Sequence, residues 1–240
     1  MSEHRKEEYL IKKIIPFNVK KVKNVDDILK SLKYCGFQGR NLGRALDILE
    51  KMVTNSNCLT VLTLSGAMVP AGMGELICAL MEHNLIDVLV TTGANIIHDI
   101  VDVFSNVGHY VGSSNVDDNE LFQNRINRIY DVFLPEENYQ NAEEALHDII
   151  QKTFKDKEVH ITPSKFLKII GGQINKRSII SIAAKYNIPI FIPAFSDSEL
   201  ALNLIKYSVR EGYNFQFDIL EDVKNFGELI KNSKEYGTIV

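Results

Sequence analysis

Residues 58–95 read CLTVLTLSGAMVPAGMGELICALMEHNLIDVLVTTGAN, and the alternation inside this stretch decides the fold. CLTVLTL (58–64) is short, apolar and β-branched, as expected of a parallel strand buried on both faces. A loop with glycine and proline follows, and then apolar residues at helical spacing from about 71 to 83. IDVLVTT (86–92) repeats the strand composition. Gly93, Ala94 and Asn95 make the next turn, and a second helix is expected to about Phe104. Strand, loop, helix and strand in this rhythm form a βαβ unit, which joins parallel strands through a covering helix.

Working outward, the same logic extends along the chain. Residues 1–12 are polar, and helices are expected at 25–35 and 41–53. The stretch 109–139 is less regular, with a short apolar piece around 130–134. Helices are expected at 140–155, 164–172 and 175–186. IPIFIP (188–193) reads as a third strand, followed by a helix over 198–210. A weak strand at 215–218 leads into a helix over 220–232. GTIV (237–240) begins what reads as another buried strand. The sum predicts an α/β fold: a Rossmann-like, mostly parallel sheet with helices on both faces. An apolar parallel strand needs a covering helix, so further chain beyond Val240 is expected; a short edge strand is the alternative.

Composition narrows the class. Of 240 residues, 45% are hydrophobic and 24% charged, enough for a core without disulfide or metal staples. A net charge of −4 argues against broad nucleic-acid binding, which needs a basic face. Cys35, Cys58 and Cys78 are odd in number and widely spaced, as expected of reduced thiols. No apolar run approaches a membrane span, and MSEHRKEEYL at the start lacks the apolar core of a secretory signal. A cytoplasmic protein with no membrane association is expected. The histidines show no metal-ligand spacing, so no metal is expected.

In open α/β sheets, ligands bind where strands end and loops turn into helices. Three such loops carry suitable residues. The first is Ser65, Gly66, Ala67, Met68, Val69 and Pro70, continuing to Ala71 and Gly72. Its small residues let backbone N–H groups approach a phosphate, with a helix N-terminus behind them. The second is Thr91, Thr92, Gly93, Ala94 and Asn95; the third runs from Pro193 through Asp197 to Ser198. Asp197 has the chemistry to accept hydrogen bonds from a ribose diol. Each loop alone also reads as ordinary turn and N-cap material. The G-x-G-x-x-G fingerprint is absent, because Gly66, Gly72 and Gly74 are spaced differently. His98 and Asp99 face either the pocket or a helix start. Glu199, two positions after Asp197, points elsewhere on a helix. His109 reads as a structural loop histidine.

Several stretches together resemble the deoxyhypusine synthase family. They are Gly36-Phe37-Gln38 through Asn41-Leu42-Gly43-Arg44-Ala45, LTLSGAMVPAG (62–72), EHNLIDVLVTTGANIIHD (82–99), INRIYDVFLPEENY (126–139), TPSK (162–165), NIPIFIPAFSDSEL (187–200) and FDILEDV (217–223). They run in family order from about residue 34, after an N-terminal tail and helix over 1–33. The SGAMVPAG and TTGAN forms are closer to the archaeal and bacterial branches.

The resemblance implies an NAD-binding Rossmann-like domain over 34–240, assembled as a homotetramer. It implies hydride removal from spermidine by NAD and transfer of the aminobutyl group, through an imine on an enzyme lysine, to a lysine of the translation-factor 5A precursor. Ser65 and Gly66 to Pro70 match the first NAD loop; Thr92, Gly93 and Ala94 match the second; Asp197 matches the carboxylate that contacts NAD. The sequence also departs from the family. Two acids that follow the second loop are here Ile97 and His98, and an aspartate for the amine is here Leu202. His98 and Glu199 are the substitutes to consider for the amine. No lysine of the chain matches the imine-forming position, which the family places in a segment after the GTIV strand. The chain is therefore expected to be inactive alone. Two other readings stay open: a non-catalytic or split subunit completed by a complementary partner, and a relative that makes homospermidine or uses agmatine.

Overall fold

The structure is a computed structural model that describes residues 4–105 and 107–240. Residues 1–3 of the expected polar tail lie outside the described residues. The chain forms two compact units, 1–56 and 57–240.

The first unit is helical: α1 (His4–Tyr9), α2 (Val25–Leu32) and α3 (Phe37–Thr54), with a 3-10 turn at Val19–Lys21. Asn24 caps α2 by accepting a hydrogen bond from the Asp27 N–H. Gly43 on α3 lies against the end of α2. A Cβ there would sit 2.5 Å from the Lys33 backbone nitrogen, so only glycine lets the two helices approach this closely.

The second unit carries β1 (Cys58–Leu64), α4 (Gly74–Glu82), β2 (Val88–Thr91), α5 (Gly93–Phe104), β3 (Tyr110–Val111), α6 (Asp118–Gln123), β4 (Ile126–Ile129), β5 (Val132–Pro135), α7 (Glu136–Thr153), β6 (Glu158–Ile161), α8 (Pro163–Gly171), α9 (Ile179–Tyr186), β7 (Ile190–Phe191), α10 (Glu199–Glu211), β8 (Asn214–Phe217), α11 (Ile219–Asn232) and β9 (Glu235–Ile239). The central sheet has the order β7-β2-β1-β9, and all its pairs are parallel. A parallel pair β6-β8 and a small antiparallel sheet β3-β5-β4 complete the strands.

Alternation along the central strands explains the two covered faces. Leu62, Leu89 and Ile190 point into a large core shared with α4, α5, α7, α8 and α9. Their neighbours Val61, Val88 and Phe191 point the other way, onto Phe226, Leu229 and Ile230 of α11. This is the doubly covered, mostly parallel sheet that the strand composition predicts.

Several elements differ from the sequence expectation. The stretch 109–139 is ordered as the β3-β5-β4 sheet with α6, not irregular. Its β4–β5 hairpin turns through Tyr130 at φ +55°, where a tight turn ordinarily advertises itself by glycine or asparagine. Helix α4 starts at Gly74 instead of 71, because Val69–Met73 forms a wider π-type turn with Gly72 at φ +86°. β9 is an edge strand of the described sheet, paired only with β1 there.

Candidate functional site

The carboxyl ends of β1, β2 and β7 open into one cavity of about 870 Å³, within the usual range for small-molecule and cofactor sites. After β1, Ser65, Gly66, Ala67 and Met68 form one wall. Gly66 takes φ +66°, a left-handed turn that carries the chain sharply off the strand. Val69 and Pro70 of the same loop do not line the cavity; both are buried.

After β2, Thr92, Gly93 and Ala94 line the cavity at the start of α5. Thr92 is the N-cap, its side chain accepting a hydrogen bond from the Asn95 N–H at 3.3 Å. Gly93 has a steric reason to be glycine: a Cβ there would lie 2.3 Å from the Ser198 Cβ. The first two loops are tied by Asn95, which is 1% exposed. Its Oδ1 accepts from the Val69 N–H at 3.2 Å, and its Nδ2 donates to the Thr91 hydroxyl at 3.2 Å. After β7, Pro193, Ala194 and Asp197 supply the third wall. Ser198 then caps α10, accepting from the Ala201 N–H at 3.3 Å and donating to the Phe195 carbonyl at 2.8 Å.

His98, one turn into α5, completes this side of the cavity. Its Nδ1 lies 2.9 Å from His109 Nε2, and His109 Nδ1 lies 2.8 Å from Asp102 Oδ1. Tyr139 brings its hydroxyl to 3.5 Å from His98 Nε2. Burial first, and then the neighbouring His109, lowers the His98 pKa to about 4, so the ring is neutral near pH 7. Burial, with Glu199 and Glu136 nearby, raises the Tyr139 hydroxyl to about 12. Glu199 is not among the cavity-lining residues; the charge it carries at the start of α10 acts on Tyr139.

Asp99, the next residue of α5, points in a different direction. Its carboxylate accepts from the Ile179 and Ile180 N–H groups at 2.8 and 3.1 Å, closing the N-terminus of α9. Full burial lifts its pKa to about 7, although those two N–H bonds pull it back. Ile97 is buried and Leu202 is exposed; neither lines the cavity.

The cavity thus gathers Ser65 to Met68, Thr92 to Ala94, His98 and Asp197. Sequence reasoning passed over Asn95 as the tie, and over Asp102, His109 and Tyr139 as partners of His98. One signal was present: His98 and Asp102 are spaced i, i+4 and share a helix face. Ile129 and Val240 also line the cavity. Among the described residues, no lysine lines it, and no group of three or more His, Cys, Asp or Glu is arranged to hold a metal ion. No helix of the described residues is long and apolar enough to cross a membrane.

A parallel, doubly covered sheet with a cavity at the strand ends places the chain among the open α/β proteins of Rossmann-like architecture. Within that class it belongs to the deoxyhypusine synthase family, whose family model matches residues 27–240. It is 33% identical over 230 residues to "Probable deoxyhypusine synthase 2" of Methanosarcina acetivorans, covering 94% of this chain and 65% of that relative. It is 38% identical over 217 residues to "Probable deoxyhypusine synthase 1" of Archaeoglobus fulgidus, covering 90% of this chain and 69% of that one. The chain therefore spans about two thirds of the length of these curated relatives. The crystal structure of "a putative deoxyhypusine synthase" from Entamoeba histolytica shares the fold, with a TM-score of 0.72 at 24% identity over 95% of this chain and 78% of that one.

Proposed function

We propose that the cavity is an NAD site and that the protein serves cytoplasmic, NAD-dependent aminobutyl transfer from spermidine to a lysine of the translation-factor 5A precursor, working as a homotetramer. One observation carries the NAD reading: three loops spread over more than a hundred residues of sequence converge on a single cavity at the strand ends. The residues fit such a ligand. Ser65, Gly66, Ala67 and Met68, with Thr92, Gly93 and Ala94 at the α5 N-terminus, offer small side chains and backbone N–H groups suited to a diphosphate. Val69 and Pro70, which continue the first loop, are buried. Asp197 is the carboxylate for a ribose diol. Bound NAD supplies the hydride acceptor. The chain's own residues bind it, orient it and hold a proton acceptor, His98, at the cavity wall.

The absence of a lysine among the described lining residues leads to a narrower proposal: this chain binds NAD but completes no aminobutyl transfer by itself. A complementary subunit that supplies the lysine is one form this takes. The amine site also favours a second reading, a relative that makes homospermidine or uses agmatine. Where the family resemblance implies two carboxylates, the chain has buried Ile97 and the neutral imidazole of His98. That exchange removes fixed negative charge from the amine side and leaves His98, with Glu199 behind Tyr139, to receive the amine.

Isothermal titration with NAD tests the cofactor reading. Saturable binding, weakened roughly tenfold or more by Asp197→Ala, about 1.4 kcal/mol, is the expected result. Equal weak heats for NAD, AMP and buffer would remove it.

A further inference from the structure

We propose that His98, His109 and Asp102 form a proton relay in which His98 accepts a proton from a cationic amine in the cavity without itself remaining charged. The inference rests on the amine reading above and goes beyond it by naming the acceptor atom and the route of the proton.

The proposed resting state gives His109 a single ring proton, and the bond directions then follow from the contacts. An ionised Asp102 only accepts, so His109 must carry its proton on Nδ1, 2.8 Å away. With that single proton on Nδ1, His109 presents a lone pair on Nε2. His98 Nδ1, 2.9 Å from that atom, must be the donor. This leaves the lone pair of His98 on Nε2, the ring nitrogen not engaged in the relay. The Tyr139 hydroxyl, which holds its proton, stands 3.5 Å from it. That contact is long for an O–H···N bond and is readily displaced by a better donor. A metal bridge between the rings is ruled out by distance, since two imidazole nitrogens on one zinc, each at about 2.0–2.1 Å in tetrahedral geometry, lie farther apart than these.

The transfer balances as follows. The amine N–H bond breaks and its proton goes to His98 Nε2. The His98 Nδ1–H bond breaks and its proton goes to His109 Nε2. The amine is left neutral, His98 is neutral again in its other tautomer, and His109 is an imidazolium beside the Asp102 carboxylate. A buried imidazole that resists charge can thereby still act as a base, because the charge settles on His109, itself 8% exposed but paired at 2.8 Å with Asp102, whose side chain is 41% exposed. The groups facing His98 are His109 and Asp102 in the relay, Tyr139 on α7 with Glu199 behind it on α10, and Asp99 turned away on α5. His109 and Asp102 are positioning residues; only His98 meets the ligand.

The test is ¹⁵N NMR of the histidine-labelled chain, which reads tautomers directly. The expected result at pH 7.5 is a protonated Nδ1 and bare Nε2 on His98, and a protonated Nδ1 on His109. Asp102→Asn, at a partly exposed position, is expected to return His98 to the ordinary Nε2–H tautomer without unfolding the chain. A His98 already in the Nε2–H form in the unsubstituted chain, or unmoved by Asp102→Asn, overturns the relay. Spermidine, putrescine and agmatine are then added in turn, with NAD present. Movement of the His98 Nε2 resonance toward the protonated position with at least one of them supports the amine as proton donor. No movement with any of them, while the tautomers are as stated, overturns the acceptor role. Binding of NAD in the same sample separates that outcome from failure of the cofactor reading.

Discussion

His98 and Asp99 are neighbours in sequence, yet α5 sends them to opposite environments. His98 lines the cavity at the strand ends, with a hydrogen-bonded route leading to partly exposed Asp102. Asp99 is sealed inside, where it satisfies two N–H groups at the start of α9. Burial acts on both and in opposite senses, lowering the histidine to about 4 and raising the aspartate to about 7, so each favours its neutral form. The difference teaches that a buried titratable residue is not by itself a functional one. What separates the two is the partner: side chains and a cavity for His98, main-chain donors of a packed helix for Asp99.

The largest effect should come from the structural side of this pair. Asp99→Ala leaves two buried N–H groups without an acceptor and is expected to cost about 2–4 kcal/mol in urea unfolding. A loss below about 1 kcal/mol would show that water or a shifted α9 satisfies them. The same residue gives a pH signature. Its folded pKa lies above the ordinary carboxylate value, so the folded state binds more protons than the unfolded one between about 4 and about 7. Its contribution to stability therefore falls as pH rises through that window. Asp99→Asn should flatten the slope relative to the unsubstituted chain, as read from unfolding midpoints across pH.

On the cavity side, Gly93→Ala drives a methyl group into Ser198 and is expected to weaken NAD binding roughly tenfold or more. Combining it with Ser198→Gly removes the obstructing atoms at a cost of a few tenths of a kcal/mol in capping. Recovery of binding in the double variant would locate the effect in that contact, and failure to recover would place it elsewhere. Asn95→Leu keeps the volume but strands the Val69 N–H, and about 1–3 kcal/mol of stability should be lost with the tie between the loops. His98→Gln should change stability least, by about 1 kcal/mol, since the buried ring gives up a side-chain hydrogen bond and strands no main-chain donor. A large unfolding penalty there would make His98 a structural residue like Asp99.

Much of this was legible in sequence. CLTVLTL, VLVT and IPIFIP identify themselves as strands because burial on both faces demands unbroken apolar, β-branched composition. Strand ends then point to Gly66, Gly93 and Asp197 without any fingerprint. What stayed hidden depended on long-range contacts. Nothing near Gly93 announces Ser198, 105 positions away, and His109 acquires its meaning only when the chain folds it against Asp102 and His98. EVHI (158–161) was unreadable as a strand because only Val159 is buried, and its partner β8 lies more than fifty residues on. Asp99 was ambiguous for a related reason: a helix gives the direction of a side chain only once its neighbours are known.

The most direct test of the account follows the backbone amides of Gly66 and Gly93 by ¹H–¹⁵N NMR while NAD is added. Both resonances, with that of Asp197, are expected to shift together along one saturation curve, while the amides of Ile179 and Ile180 beside Asp99 stay in place. Saturable NAD binding that leaves Gly66 and Gly93 unmoved would contradict it.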